Sequence, residues 1–221
     1  MSALRTALNP EVLFFDFDGT LVDNFQAIYA AYVYVAQQLG HRVADFATLK
    51  RSVGGSIAVT FQKLFEKEDT QAETQLYQQY FPSVMHQGVQ VIDGVVPFLD
   101  KCLAQKRRMA IFTNKHAGIT RQLCQDLGLQ QYFEHIIGSG DTPFRKPQAE
   151  FSWHALHTMQ AQPASSILVG DSPFDAQAAQ AVHMPAWLVA TGTHTLAELH
   201  TQAPGAQHYA SSLHELALHL G

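Results

Sequence analysis

Two cysteines in 221 residues, Cys102 and Cys124, give this chain no disulfide framework. Both fall in helical patterns and form no Cys-x-x-Cys pair, so packed, reduced thiols are expected. Charge is also sparse, at 15% of residues with a formal net charge of −5. That argues against a nucleic-acid binder built on a broad basic face. No uninterrupted apolar run approaches the roughly 20 residues that a membrane helix needs. The start of the chain, Met1-Ser2-Ala3-Leu4-Arg5, lacks an apolar region of signal-peptide length. Cytoplasmic residence is the expectation that remains. There are twelve histidines, yet no His-Glu-x-x-His element. His194 and His200 merely flank a short helix-like stretch, so scattered surface histidines are expected rather than a zinc site. Repeats and low-complexity segments are missing too.

What is present is ordinary globular material, 47% hydrophobic. The length suits one domain, or a core plus a small insert. A buried strand runs about Val12 to Phe17. From Asn24 to about Gly88 the pattern is helical with almost no strand signal. Phe25, Ile28, Tyr29, Tyr32, Val33, Val35 and Leu39 recur near the helical period, and Gly40 supplies a C-terminal cap. Further helices are expected over 45–52, 57–66 and 70–86, the last interrupted by Pro82. After Asp93-Gly94 helix and strand alternate. Strands are expected over 108–113, 133–138, 166–170, 186–189 and, weakly, 208–210. Helices fall over 96–105, 117–127, 149–159, 175–182 and 213–220. Such alternation predicts an α/β fold, a parallel sheet covered by helices on both faces. The helical block then reads as an insertion after the first strand, hinged near Val22-Asp23 and Val91-Ile92-Asp93-Gly94.

Polar clusters gather where these strands end. The first strand runs into Asp16-Phe17-Asp18-Gly19-Thr20. Residues i and i+2 of a strand share a face, so Asp16 and Asp18 start from the same side. Two carboxylates so close repel unless a cation or proton offsets the cost, and a hard divalent cation is the natural occupant. The second strand ends in Thr113-Asn114-Lys115. Lys146-Pro147 precedes a helix after the third. The fourth ends in Gly170-Asp171-Ser172-Pro173-Phe174-Asp175. In a parallel sheet these ends share one edge, where ligands bind.

These four motifs, in this order, resemble the haloacid dehalogenase superfamily, in particular its phosphatase branch with a helical cap inserted after the first strand. Within that branch the chain is similar to phosphoglycolate phosphatase-like proteins. The resemblance implies a Rossmann-like core formed by residues 1–22 and 92–221 and a cap formed by residues 23–91. It implies Mg²⁺-dependent hydrolysis of a small phosphomonoester through an aspartyl phosphate. Asp16 would be the nucleophile. Asp18 would be the general acid and then the base, its backbone carbonyl offered to the metal. Asp171 would be the second carboxylate on Mg²⁺. Asp175 would ligate, bind through water or hold Lys146, the supporting role being preferred. Thr113 and Asn114 would bind the phosphoryl group through a hydroxyl and a backbone N–H, with Lys146 balancing its charge. Lys115 and Arg145 are expected to be solvated. Thr20 stands where resembling phosphatases carry Thr or Ser and phosphomutases often carry Val.

A cap excludes water and completes substrate recognition. Its expected tip is Arg51-Ser52-Val53-Gly54-Gly55-Ser56, where Arg51 either pairs with a substrate anion or stays in solvent. Asn24 and Phe25 sit at the hinge exit. The chain has Lys146-Pro147-Gln148-Ala149 where relatives often have Lys-Pro-x-Pro, and Ala181-Val182-His183-Met184-Pro185 where a small pair with Gly is common. Substrate identity is therefore not carried over: phosphoglycolate heads a list with sugar phosphates, nucleoside monophosphates and pyrophosphate. The expected partner is a small phosphorylated metabolite, with neither nucleic acid nor membrane, and the chain is a monomer or homodimer. The competing readings are a sugar phosphomutase and a noncatalytic binding protein on the same scaffold.

Overall fold

The computed structural model describes residues 10–220. The expectation about Met1–Arg5 lies outside that range. In chain order the elements are β1 (Val12–Phe15), β2 (Val22–Asp23), α1 (Phe25–Gln38), α2 (Phe46–Ser52), α3 (Ile57–Phe65), α4 (Gln71–Val84) and β3 (Gln90–Val91). Then come α5 (Val95–Ala104), β4 (Arg108–His116), α6 (Ala117–Asp126), β5 (His135–Ser139), α7 (Ala149–Thr158) and β6 (Ser166–Gly170). The chain finishes with α8 (Pro173–Gln180), β7 (Ala186–Val189), α9 (Leu196–Gln202), β8 (His208–Ala210) and α10 (Leu213–Leu216).

Six strands form one parallel sheet in the order β5-β4-β1-β6-β7-β8. The order reverses at β1, which pairs with β4 on one side and β6 on the other. Such a reversal opens a crevice beyond the carboxyl ends of the strands. Every residue of β1 is buried, because helices cover both faces. Side chains alternate between those faces. Leu13, Phe15, Met109, Ile111, Ile167 and Val169 join one core with α5, α6 and α10. Val12, Phe14, Ala110, Phe112 and Leu168 join another with α7, α8 and α9. Edge-to-face aromatic contacts lock both sides, Phe15 on Phe98 and Phe14 on Phe112.

Helices α1 to α4 follow β2 without an intervening strand. Their starts are readable: Asp45 accepts from the Thr48 N–H at 2.7 Å, and Ser56 from the Val59 N–H at 3.4 Å. Aromatic packing holds the block, with Tyr32 on Phe65 and Tyr77 on Phe81. Its interior is continuous with the first of the two cores. Pro82 does not interrupt α4, which runs through it to Val84. The carbonyl freed by its missing N–H belongs to exposed Gln78, where water can serve it. The two hinge segments pair as an antiparallel ribbon, Val22 with Val91 and Asp23 with Gln90. Strands of two residues carry no periodicity, so the sequence alone does not reveal them.

Candidate active site

β1 gives up its strand pairing at Phe15, yet the Asp16 N–H still donates to Val169 O at 2.9 Å. The carboxylate is therefore anchored at the sheet edge, 5% exposed. A tight turn follows, in which Gly19 takes φ +84° and its N–H donates to Val22 O at 2.8 Å. A side chain at Gly19 would also run into the Asp171 carboxylate.

β4 extends past its expected end at Thr113 to His116, with a shift in its pairing with β5 between Phe112 and His116. Irregularities of this kind re-aim side chains. Here the affected residues are Thr113, Asn114 and Lys115. Thr113 is buried and hydrogen-bonds Asp16. The Asn114 side chain ties three segments together. Its Nδ2 donates to Gly54 O at 3.2 Å and to Lys146 O at 3.1 Å, while its Oδ1 accepts from the Lys146 N–H at 2.8 Å.

Lys146 is fully enclosed. Its Nζ donates to Phe112 O at 3.0 Å and Asp175 Oδ1 at 2.6 Å, and lies 3.1 Å from Asp16 Oδ1. Those three oxygens use all three ammonium donors. Asp175 turns its other oxygen to Ser172, accepting from the N–H at 3.1 Å and the hydroxyl at 2.7 Å, which caps α8. The helix consequently begins at Pro173, two residues before the expected start. Asp171 accepts from Thr20 Oγ1 at 3.3 Å, from the Thr193 N–H at 2.9 Å and from Thr193 Oγ1 at 3.1 Å.

Asp16, Asp171 and Asp175 each place a carboxylate oxygen within 4.8 Å of the others, all buried. Burial, above all, pushes Asp16 up to about 6; Lys146 and Thr113 oppose the rise, while Asp175 and Asp18 add to it. Asp171 rises to about 8, again through burial first and then through Asp175 and Asp16, against the two Thr193 donors. Burial works against the charge on Lys146, but Asp16 and Asp175 together outweigh it and raise its pKa. Three carboxylates facing one ammonium leave a negative excess that a hard divalent cation makes up, and the all-oxygen donor set fits Mg²⁺.

The Asp18 side chain stands apart from that cluster. Its Oδ1 accepts from Asn24 Nδ2 at 2.6 Å and its Oδ2 from Lys115 Nζ at 3.1 Å. Lys115 is thus not solvated, as the sequence had implied. Its side chain is 8% exposed, with Nζ 4.5 Å from the centroid of the Phe81 ring. Asp18 attracts it into a partly buried pair and the ring face favours the cation. Arg145, also expected in solvent, is half-buried and lines a cavity between the helical block and the sheet edge. Val53, Gly55 and Ser56 line it as well, so the expected tip does overlie the strand ends. Arg51 behaves otherwise. It is exposed and absent from the cavity lining; the Thr48 N–H chiefly lowers the pKa of Asp45 and the Thr195 N–H that of Glu198, and Arg51 adds only a smaller pull on each.

Four parallel-strand ends therefore meet as expected, around a buried aspartate with a lysine partner. A profile of the haloacid dehalogenase-like hydrolases matches residues 13–189. The chain belongs to that family. A phosphoglycolate phosphatase of Thiobacillus denitrificans is 33% identical over 80% of this hydrolase and 82% of its own length. A probable phosphatase of Dickeya dadantii is 28% identical over 87% of this chain and 86% of its own. The solved structure of a haloacid dehalogenase-like hydrolase from Bacteroides fragilis superposes with a TM-score of 0.88, covering 94% of this chain and 99% of that one at 24% identity. The last likeness bears on the fold. Within the family this hydrolase stands with the phosphatases. Among its described residues no helix is long and apolar enough to cross a membrane. Both cysteines are free and buried, and burial pushes each thiol up to about 12.

Sequence reasoning missed Thr193, Gly192 and the structural work of Lys115. A signal for the first two was available. Ala190-Thr191-Gly192-Thr193 is the polar segment after β7, and the strand-end rule applied there would have flagged it.

Proposed function

We propose that this phosphatase hydrolyses a small phosphomonoester with Mg²⁺, through a phosphoryl group carried briefly on Asp16. The observation that carries the reading is the pairing of one buried carboxylate, Asp16, with the enclosed Lys146 ammonium at 3.1 Å beside two further buried carboxylates. Asp16, Asp171 and the Asp18 backbone carbonyl would hold Mg²⁺, which offsets negative charge on the phosphoryl oxygens. An Asp16 oxygen attacks phosphorus while the bond from phosphorus to the ester oxygen breaks. Asp18 gives its proton to the departing alkoxide. It then takes a proton from water as that water attacks phosphorus and the bond to Asp16 breaks, releasing inorganic phosphate. Thr113 and the Asn114 backbone N–H hold the phosphoryl oxygens, and Lys146 keeps Asp16 charged and oriented.

Residues 23–91 act as a cap over this chemistry. Support comes from the Asn114 hydrogen bond to Gly54 O and from the loop 53–56 along the cavity wall. Asp175, committed to Lys146 and Ser172, acts as a support for the site. The test is phosphate release from a panel of phosphomonoesters, with Mg²⁺ and with chelator. Release that needs Mg²⁺ and vanishes in Asp16→Asn is the expected result. Unchanged release in that variant would remove Asp16 from the reaction.

A further inference from the structure

The cavity over Asp18 and Asn114 has a volume of about 240 Å³, the liquid volume of about eight water molecules. This is generous for the two-carbon acid left when phosphoglycolate is cleaved. Ile28, Ile57, Tyr77 and Phe81 from the helical block and Ile119 of α6 give the cavity apolar surface, interspersed with the hydroxyls of Thr60 and Thr74 and the Gln78 amide. Tyr77 and Phe81 stack on one another with their rings 24° from parallel, which stiffens this part of the wall. The apolar side chains lose little by meeting another apolar surface, whereas a small hydrated acid would leave them wet.

The charged groups of the lining are unevenly matched. Asp18 is the only carboxylate in the lining, and Lys115 neutralises it. Arg145 has no such partner: no carboxylate pairs with it among the described residues, and its Nη1 donates to Pro143 O at 3.3 Å. In the same lining, His116 Nδ1 accepts from the Gly118 N–H at 3.2 Å, which leaves Nε2 as a donor. The transferring phosphoryl group belongs at Asp16 and Lys146, so Arg145 is left for a second anion. An arginine fork is well shaped for such a group.

Resting on the phosphatase reading above, we propose that the substrate is the phosphate ester of a ring-sized, largely apolar alcohol carrying an anionic group that meets Arg145. Three probes separate the terms: phosphoglycolate, phenyl phosphate and 4-carboxyphenyl phosphate. The expected order of kcat/KM is 4-carboxyphenyl phosphate first, phenyl phosphate second and phosphoglycolate last, with about tenfold between the first and the last. In Arg145→Gln the ratio of 4-carboxyphenyl to phenyl phosphate falls about tenfold. Reading a ratio removes any general loss from disturbing the neighbouring Lys146. Preference for phosphoglycolate over both aryl esters, or a ratio within about twofold of wild type in Arg145→Gln, overturns the proposal and leaves the phosphatase reading standing. Failure of the folded, Mg²⁺-supplied protein to turn over any probe overturns the phosphatase reading instead. Calorimetric titration of Asp16→Asn with 4-carboxyphenyl phosphate then decides the chamber alone: saturable binding that Arg145→Gln weakens supports it, and no binding sinks it.

Discussion

Lys146 concentrates the electrostatics of the site in one atom. Its Nζ reaches oxygens of Phe112, Asp175 and Asp16 at 3.0, 2.6 and 3.1 Å, with none of the side chain exposed. Lys146→Met leaves the buried carboxylates without their internal counter-charge, and breaking such a pair costs about 3–5 kcal/mol. Thermal unfolding of the metal-free variant should show a marked fall in Tm. Lys146→Arg should not restore activity, since a planar fork does not fit three oxygens arranged around a point. Asp16→Asn should behave differently. It keeps the shape, removes a charge that burial disfavours, and so should fold at least as stably while losing about a thousandfold or more in kcat. Circular dichroism and single-turnover kinetics on the same sample would check both halves of that claim. Asp16 and Asp18 were legible in the sequence because two acids two residues apart follow an apolar run. Lys115 was not, because its partner Asp18 and the Phe81 ring come from distant parts of the chain.

At the scale of elements, strand ends were more legible than strand lengths. The fully buried β6 and β7 kept their expected bounds, since continuous apolar runs stop sharply at polar residues. β4 ran longer than expected because its polar tail still pairs, through His116 with Ser139. The loop after β7 went unrecognised as part of the site, although Thr193 holds Asp171 and Thr191 Oγ1 donates to Gly19 O at 2.7 Å. Gly192 makes that loop possible. A Cβ there would lie 1.9 Å from Asp171 Oδ2, closer than any contact allows. Gly192→Ala should therefore displace the Asp171 carboxylate and weaken Mg²⁺ activation about tenfold or more, with the remaining strands intact. A Mg²⁺ titration of phosphate release would measure it, and an unchanged half-saturation point would refute the close approach.

For the whole molecule, the buried acids tie stability to pH. Unfolded aspartates titrate near 4, whereas in the folded chain without a cation Asp16 and Asp171 titrate at about 6 and about 8. Between those limits the folded state binds more protons than the unfolded state, so stability falls as pH rises. The contribution is complete below about pH 4 and is lost as pH rises through about 8. Mg²⁺ replaces the protons, so it should raise Tm more near pH 8 than near pH 5. Calorimetric scans with Mg²⁺ and with chelator at the two values test this, and equal shifts would count against it. The overall architecture was legible because alternation of strand and helix dictates a parallel sheet. The merging of the helical block with one core of that sheet was not, because it depends on which faces meet.

The ribbon of β2 and β3 has a consequence for descent as well as for mechanics. The chain departs from the sheet at Val22 and returns at Val91, side by side. Everything from residue 24 to residue 89 is then, topologically, one side loop on a scaffold whose strand order it never touches. A block of different size or shape could be spliced between the same two strands without rethreading the sheet, provided that it returned a partner such as Asn24 to the Asp18 carboxylate. The sheet and the block can consequently change in size independently of each other.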